Sequence, residues 1–355
     1  MITDLTPFCI GPDATLIDAM RLIDRNAKGI ALVVDARQHL LYTVTDGDLR
    51  RAILHGLSLD MTLAAWAATR PEFGNSRPRS VPVGTSYERI REMLEPEGLR
   101  HMPVVDDDGR VIGLVVLTGP RRDADAAVHA VVMAGGRGSR LSPLTAETPK
   151  PLLPVGDRPL MEHLVGQLKD AGIERLSVTT HYRGDQIRSH FGDGRRFGLE
   201  IEYVNEDQPL GTAGGLGLLA PWSSTLLVVN GDILTRVNYQ SMLSFHRENR
   251  AAMTVGVRQY KIPVAYGIVE TDGVEIRAIN EKPTLQFFSN AGLYVMEPCV
   301  REYLTPARRI DMPDLISALV AGGHKVVSFP ISEYWLDIGR HEDYRQAQVD
   351  VKEGH

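Results

Sequence analysis

From residue 128 onward, short apolar runs alternate with stretches whose apolar positions recur every three or four residues. The runs read as strands of a covered sheet and the longer amphipathic stretches as helices packed on it. The pattern predicts strands at 128–133, 175–180, 200–204 and 225–229, and helices at 158–171, 184–191 and 212–219. Strand and helix in alternation imply a largely parallel sheet with helices on both faces, whose ligands bind at the carboxyl ends of the strands.

The first 120 residues follow another pattern, an internal repeat. IALVVDARQHLLYTVTDGDLRR at 30–51 lies beside HMPVVDDDGRVIGLVVLTGPRR at 101–122, each reading as strand, turn and strand. An amphipathic helix precedes each copy, with Leu16, Ile17, Met20 and Ile23 on one face in the first and Tyr87, Ile90 and Leu94 in the second. Neither half can bury its sheet alone, so the two are expected to pair. Pro, Gly, Ser and Asn in residues 68–82 mark the join between copies, and Gly119-Pro120 followed by a charged run marks an interdomain linker. The domains expected are 1–120 and 128–350, joined by a linker at 121–127.

Composition adds mainly exclusions. The chain has 355 residues, 43% of them hydrophobic, and a formal net charge of −6. That is ample chain for a full core, and no global basic field points to nucleic acid or an anionic membrane surface. Nucleic-acid and membrane partners are therefore not expected, and a phosphate ligand must be held locally. Cys9 and Cys299 stand far apart without metal-ligand spacing, which suits a reducing cytoplasm. No signal peptide and no membrane-length apolar run is evident, so a cytoplasmic location is expected.

The chemistry concentrates at HAVVMAGGRGSRLSPLTAETPKPLLPVG, residues 129–156. A strand runs into Ala134, Gly135, Gly136 and Gly138, which let successive backbone N–H groups face an anion, and Arg140 and Lys150 add cations. LLVVNGDIL at 226–234 ends a strand in Asp232, and YWLDIGRHEDY at 334–344 carries Asp337. A carboxylate at the carboxyl end of a strand is placed to ligate Mg²⁺ on a phosphate, although turn aspartates are common. NEDQPLGTAGGLGLL at 205–219 holds Gln208, which can read a base edge as donor and acceptor. Gly211 and Gly214 there permit close approach of a planar ligand, while Thr212 equally suits a helix N-cap.

With these motifs in order, the stretch 127–347 resembles the sugar-1-phosphate nucleotidyltransferases, also called nucleotide-sugar pyrophosphorylases. The N-terminal repeat resembles two CBS motifs paired as a Bateman module, so the fold implied is an N-terminal CBS pair plus a C-terminal Rossmann-like, mostly parallel α/β domain. The resemblance implies catalytic roles for Arg140 and Lys150, and nucleotide binding by Ala134, Gly135, Gly136, Gly138, Gln208, Gly211, Thr212 and Gly214. It also implies Mg²⁺ as cofactor on Asp232 and Asp337, and sugar-phosphate binding by Gly267, Glu281, Lys282 and Asn290, which lie in YGIVE, NEKPT and SNAGLYVME. In the CBS pair, Thr45 and Asp48 match a ribose-binding Thr-x-x-Asp, which would place an adenine nucleotide there. The second copy has Val116 and Gly119 instead, leaving at most one such site. Helix capping by Thr45 and Asp48 accounts for the same residues equally well.

The reaction implied is transfer of a nucleoside monophosphate from an NTP to a hexose or hexosamine 1-phosphate, with release of pyrophosphate. GTP is favoured, because the combination with tandem CBS motifs resembles guanylyltransferases such as the mannose-1-phosphate type. Pro151 directly after the lysine disfavours one pyrimidine-selective subclass, which often carries Gln there. A uridylyltransferase of the same fold is the main alternative, and a catalytically silent nucleotide sensor is the alternative from another class. A homo-oligomer is also expected, through the CBS pair or the C-terminal region.

Overall fold

The computed structural model describes residues 1–69, 78–97, 99–117 and 128–354. The chain divides into two compact units, 1–125 and 126–355. The linker expected at 121–127 and much of the join at 68–82 lie outside the described residues.

The first unit comprises β1 (Cys9–Ile10), α1 (Leu16–Asn26), β2 (Ile30–Val34), β3 (Leu40–Thr45), α2 (Asp46–Leu54) and α3 (Leu63–Ala68), then β4 (Val81–Pro82), α4 (Tyr87–Leu94), β5 (His101–Val105) and β6 (Val111–Val116). The repeat is real in three dimensions. Each copy makes a three-stranded sheet, β1-β2-β3 and β4-β5-β6, with the first pair parallel and the second antiparallel. Every residue of β2 is buried, because its sheet is covered on both faces. Leu16, Ala19, Met20 and Ile23 of α1 pack on one face with Leu49, Leu63 and Trp66. Phe8, Ile30, Leu32 and Val34 meet Val111 and Leu114 of the other copy on the second face. The shared cluster is the physical reason the halves pair. In α4, Ile90 and Leu94 are buried as predicted, but Tyr87, the first helical residue, is 47% exposed.

The second unit comprises β7 (His129–Met133), β8 (Pro154–Val155), β9 (Arg158–Pro159), α5 (Leu160–Asp170), β10 (Arg175–Thr180), α6 (Gly184–Phe191), β11 (Glu200–Asn205), α7 (Gly211–Gly214), β12 (Leu226–Asn230), β13 (Ile233–Thr235) and α8 (Tyr239–Asn249). It continues with β14 (Met253–Pro263), β15 (Ile268–Asp272), β16 (Glu275–Asn280), β17 (Thr284–Met296), α9 (Met312–Ala321), β18 (Val326–Ile331), β19 (Trp335–Asp337) and α10 (His341–Lys352). Seven strands form the main sheet in the order β11-β10-β7-β12-β17-β14-β18. The strands β11, β10, β7 and β12 are mutually parallel, as the alternation predicts. β17 runs antiparallel to both β12 and β14, so the sheet as a whole is mixed. Helices α5, α6 and α8 bury Leu164, Phe191 and Leu243 on one face, and α9 buries Leu315 and Leu319 on the other.

This strand order decides where a ligand can go. From β7 the chain moves outward to β10 and β11, then returns to the other side of β7 as β12. That reversal opens a crevice between the carboxyl ends of β7 and β12, the switch point at which doubly wound sheets bind ligands. The glycine turn follows β7, and Asn230-Gly231-Asp232 follows β12.

Candidate active site

Gly231 joins the two sides of the crevice. Its N–H donates to Met133 O at 2.9 Å, and a Cβ there would stand 3.0 Å from the same carbonyl. Gly138 has φ +62°, a left-handed conformation that L side chains rarely adopt, and an added Cβ would lie 3.2 Å from Lys150 Cβ. The Thr145 hydroxyl donates to Gly138 O at 2.8 Å and closes the loop between glycine turn and lysine. Lys150 opens a 3-10 turn, Lys150–Leu152, and is only 7% exposed. Leu141, Leu153, Val155 and Leu160 anchor this segment against Ile338 and Ala347 near the C-terminus.

The two aspartates predicted from separate motifs come together because β13 pairs with β19, Ile233 opposite Asp337. Ile338 N–H also donates to Asp232 O at 3.1 Å. Lys150 Nζ stands 2.7 Å from Asp232 Oδ2 and 3.9 Å from Asp337 Oδ1. Burial pushes the Asp337 carboxyl above the usual carboxylate range, the neighbouring Asp232 charge adds to the rise, and Lys150 and Arg140 oppose it. Arg140 is exposed, yet its Nη1 and Asp337 Oδ2 both lie within 3.6 Å of where a Gly339 Cβ would be. Two converging carboxylates are a hard-oxygen donor set that fits Mg²⁺, which takes one or two protein carboxylates and completes its shell with phosphates and water. Among the described residues there is no cluster of three or more His, Cys, Asp or Glu that could cage a metal without such a ligand.

The nucleotide loop packs closely against residues 308–312. Gln208 is exposed. The space left by the missing Cβ of Gly211 and Gly214 is taken by the chain itself: Asp311 Oδ1 and Ile310 O would stand 2.5 and 2.6 Å from a Gly211 Cβ, and Arg308 O 2.8 Å from a Gly214 Cβ. Thr212 does not cap its own helix, since Leu210 is the N-cap of α7. Its hydroxyl instead accepts from Met312 N–H at 2.8 Å at the start of α9, while its N–H donates to Asp311 Oδ1 at 3.0 Å. All three residues take part in the close packing of these two chain segments. The residue that the sequence reading passed over is Glu206, just beyond β11 and 5% exposed. Its Oε1 would stand 3.2 Å from a Gly135 Cβ and 2.7 Å from a Gly215 Cβ, at the edge of the glycine turn.

The sugar-end residues lie on or beside β15, β16 and β17. Gly267 and Glu281 are neighbours, with Glu281 Oε2 2.8 Å from where a Gly267 Cβ would be. Lys282 has φ +45°, and both Glu281 and Lys282 are exposed. Asn290 Oδ1 accepts from Gly292 N–H at 3.0 Å and from Tyr294 OH at 2.9 Å. Gly292 reaches the crevice, since a Cβ there would be 2.5 Å from Asn230 Nδ2. Burial raises the Tyr294 hydroxyl to about 12, the Asp232 charge adding to the rise, so the hydroxyl stays protonated and donates to Asn290.

In the first unit, Thr45 and Asp48 form a capping box on α2. Asp48 Oδ2 accepts from Thr45 N–H at 2.9 Å and from Thr45 Oγ1 at 2.8 Å, and Oδ1 accepts from Arg51 at 2.8 Å. Thr15 and Asp18 build the same box on α1.

A family model described as nucleotidyl transferase matches residues 129–354, which contain the whole of this crevice. The chain belongs to the nucleotidyl transferase family. CBS domain matches cover 1–55 and 72–118, so a CBS pair precedes the nucleotidyl transferase domain. The chain is 37% identical over 236 residues to a mannose-1-phosphate guanylyltransferase of Mycobacterium tuberculosis, an overlap of 64% of this chain and 65% of the relative. It is 32% identical over 241 residues to a UTP–glucose-1-phosphate uridylyltransferase of Synechocystis, covering 62% of each chain. The chain therefore spans less than two thirds of the length of these relatives. A Bacillus anthracis structure, described as a candidate glucose-1-phosphate thymidylyltransferase with sucrose, superposes with a TM-score of 0.53 at 27% identity, covering 63% of this chain and 94% of that one.

Proposed function

We propose that this nucleotidyl transferase joins the nucleoside monophosphate of an NTP to a sugar 1-phosphate and releases pyrophosphate. The observation that carries the reading is the meeting of Lys150 with Asp232 and Asp337 beside the glycine turn at the switch point of the sheet. An oxygen of the sugar phosphate attacks the α-phosphorus in line and forms the new P–O bond. The bond to the bridging oxygen breaks, and its electron pair leaves with pyrophosphate. No protein nucleophile is needed, because the obstacle is repulsion between two anions, and catalysis is positioning and charge neutralisation.

Lys150 would hold the α-phosphate and the incoming sugar phosphate, the role its burial and its reach to both aspartates suit. Arg140 and the amides of Gly135, Gly136 and Gly138 would hold the departing phosphates. Mg²⁺, held by Asp232 and Asp337, would neutralise phosphate charge when bound. Glu281, Lys282, Gly267 and Asn290 would bind the sugar 1-phosphate. GTP is the favoured NTP and UTP the alternative, since named relatives use different bases. A silent sensor is disfavoured by the presence of every charged group the transfer requires.

The test is pyrophosphate release by the full chain with Mg²⁺, crossing GTP, UTP, CTP, ATP and dTTP against mannose, glucose, glucosamine and N-acetylhexosamine 1-phosphates. One productive pair, with GTP, is the expected result. Nucleotide binding without turnover across the panel would replace the enzyme by the sensor.

A further inference from the structure

Tyr294 carries a hydroxyl on a side chain only 3% exposed, and the transfer chemistry above gives it no task. It stands just inside the point where β17 passes from an exposed outer half, ending at Asn290, to a buried inner half. The pairing with β14 breaks at that point: Val255 faces Tyr294 and Val257 faces Asn290, so β17 advances four residues while β14 advances two. This is a β-bulge, a device that re-aims a side chain beside an active site. Gly292, inside the bulge, has φ +72° and presses on Asn230. On its other side β17 runs antiparallel to β12 with Val229 opposite Leu293, and carrying that register onward sets Asn290 opposite Asp232. The Asp232 charge also acts on the Tyr294 hydroxyl, so the bulge lies beside the reacting groups.

The Asn290 side chain spans the bulge. Its Oδ1 accepts from Gly292 N–H at 3.0 Å and from Tyr294 OH at 2.9 Å. A backbone N–H can only donate, so the amide atom facing Gly292 must be the oxygen, and a half-turn of the amide would set donor against donor. Burial raises the Tyr294 hydroxyl to about 12, which keeps it a donor at any working pH. Both lone pairs of Oδ1 are then taken. Only Nδ2 is left for a ligand, and it makes no hydrogen bond among the described residues. Two N–H donors suit an oxygen of a sugar 1-phosphate, whereas the amide oxygen would repel a phosphate.

We propose that Tyr294 is a positioning residue for the transfer: through Asn290 Oδ1 it clasps the β17 bulge and holds the Asn290 amide with its N–H groups turned to the sugar 1-phosphate. This rests on the transferase reading of the crevice, though not on which base or sugar is used. Tyr294 is buried and does not meet substrate itself. Without the clasp, a side chain at the end of an exposed strand must be ordered at each binding event, and that ordering weakens binding. The loss falls on the sugar 1-phosphate. The NTP phosphates, held at the glycine turn, are served by other groups.

The experiment is steady-state pyrophosphate release by the full chain with GTP and mannose 1-phosphate, or whichever pair of the panel above turns over, for Tyr294→Phe, Asn290→Ala and the double variant. Phenylalanine keeps the ring and removes only the hydroxyl. Tyr294→Phe should raise the KM for sugar 1-phosphate by about three- to ten-fold, the scale of one lost hydrogen bond, and leave kcat and the KM for NTP within about two-fold. Asn290→Ala should raise the same KM at least as far, and adding Tyr294→Phe to it should change nothing more, because the hydroxyl acts only through the amide. Asn290→Asp keeps both acceptor bonds but has no N–H groups, so its melting temperature should hold while sugar 1-phosphate binding fails. An unchanged KM in Tyr294→Phe, full additivity in the double variant, or unimpaired binding by Asn290→Asp overturns the assignment. So does an equal rise in both KM values with a lower melting temperature, the mark of a hydroxyl that merely braces the sheet. No turnover by the unmodified chain with any pair would instead remove the transferase reading on which the proposal rests.

Discussion

At the scale of single residues, Lys150 shows how a motif acquires its chemistry. Its ammonium is held mainly by Asp232, 2.7 Å away, and by Asp337, 3.9 Å away. Lys150→Ala should lower turnover by about 10²-fold or more, the scale of losing a pre-organised group at the developing charge. It should also leave two carboxylates facing each other without the buried ammonium between them, Arg140 alone remaining nearby. The variant's melting temperature should therefore rise more with added Mg²⁺ than the parent's, which a thermal melt with and without the ion would read. Near-parental turnover would remove Lys150 from the mechanism. The glycine turn, Lys150 and Asp232 were legible because each belongs to a local pattern with its own physical reason. Glu206 was not, for its neighbours Gly135 and Gly215 come from other segments and nothing in NEDQP distinguishes an inward glutamate from an outward glutamine. At Gly211 and Gly214 the packing of residues 308–311 was equally hidden, since a glycine that admits a ligand and one that admits another loop look alike in sequence.

At the scale of elements, most of the expected strands and helices formed within a residue or two of their predicted limits. The exception is 212–219, which splits into α7 and a 3-10 turn at Gly215–Leu218, as four glycines in GTAGGLG make a long helix costly. The Thr-x-x-Asp at 45–48 recurs at 15–18, and both copies cap a helix with the same hydrogen bonds. Thr15→Ala and Thr45→Ala should each cost about 1 kcal/mol of stability, measurable by urea denaturation. If capping is the whole role of Thr45, the two variants will behave alike in every other respect. A specific loss of adenine-nucleotide binding in Thr45→Ala alone would assign ribose recognition to the first repeat.

For the whole molecule, a regulatory CBS pair would have to couple its ligand to the crevice, a free energy that acts equally in both directions. AMP or ATP at the first unit should then raise the melting temperature and change the rate of pyrophosphate release, and GTP should alter AMP affinity by the same factor that AMP alters GTP affinity. No change in either quantity would leave the pair an assembly element. None of the helices among the described residues is long and apolar enough to cross a membrane. The sequence by itself determined the repeat, the alternation of strand and helix, and the local anion-binding motifs, because hydrophobic period, glycine placement and turn chemistry act over a few neighbouring residues. The tertiary structure alone decided that β17 enters the sheet antiparallel, that Asp337 meets Asp232 across more than a hundred residues, and that Glu206 rather than Gln208 turns into the crevice. Those outcomes depend on which distant segments exclude water from one another, and that competition is settled only when the whole sheet and its two covering layers close.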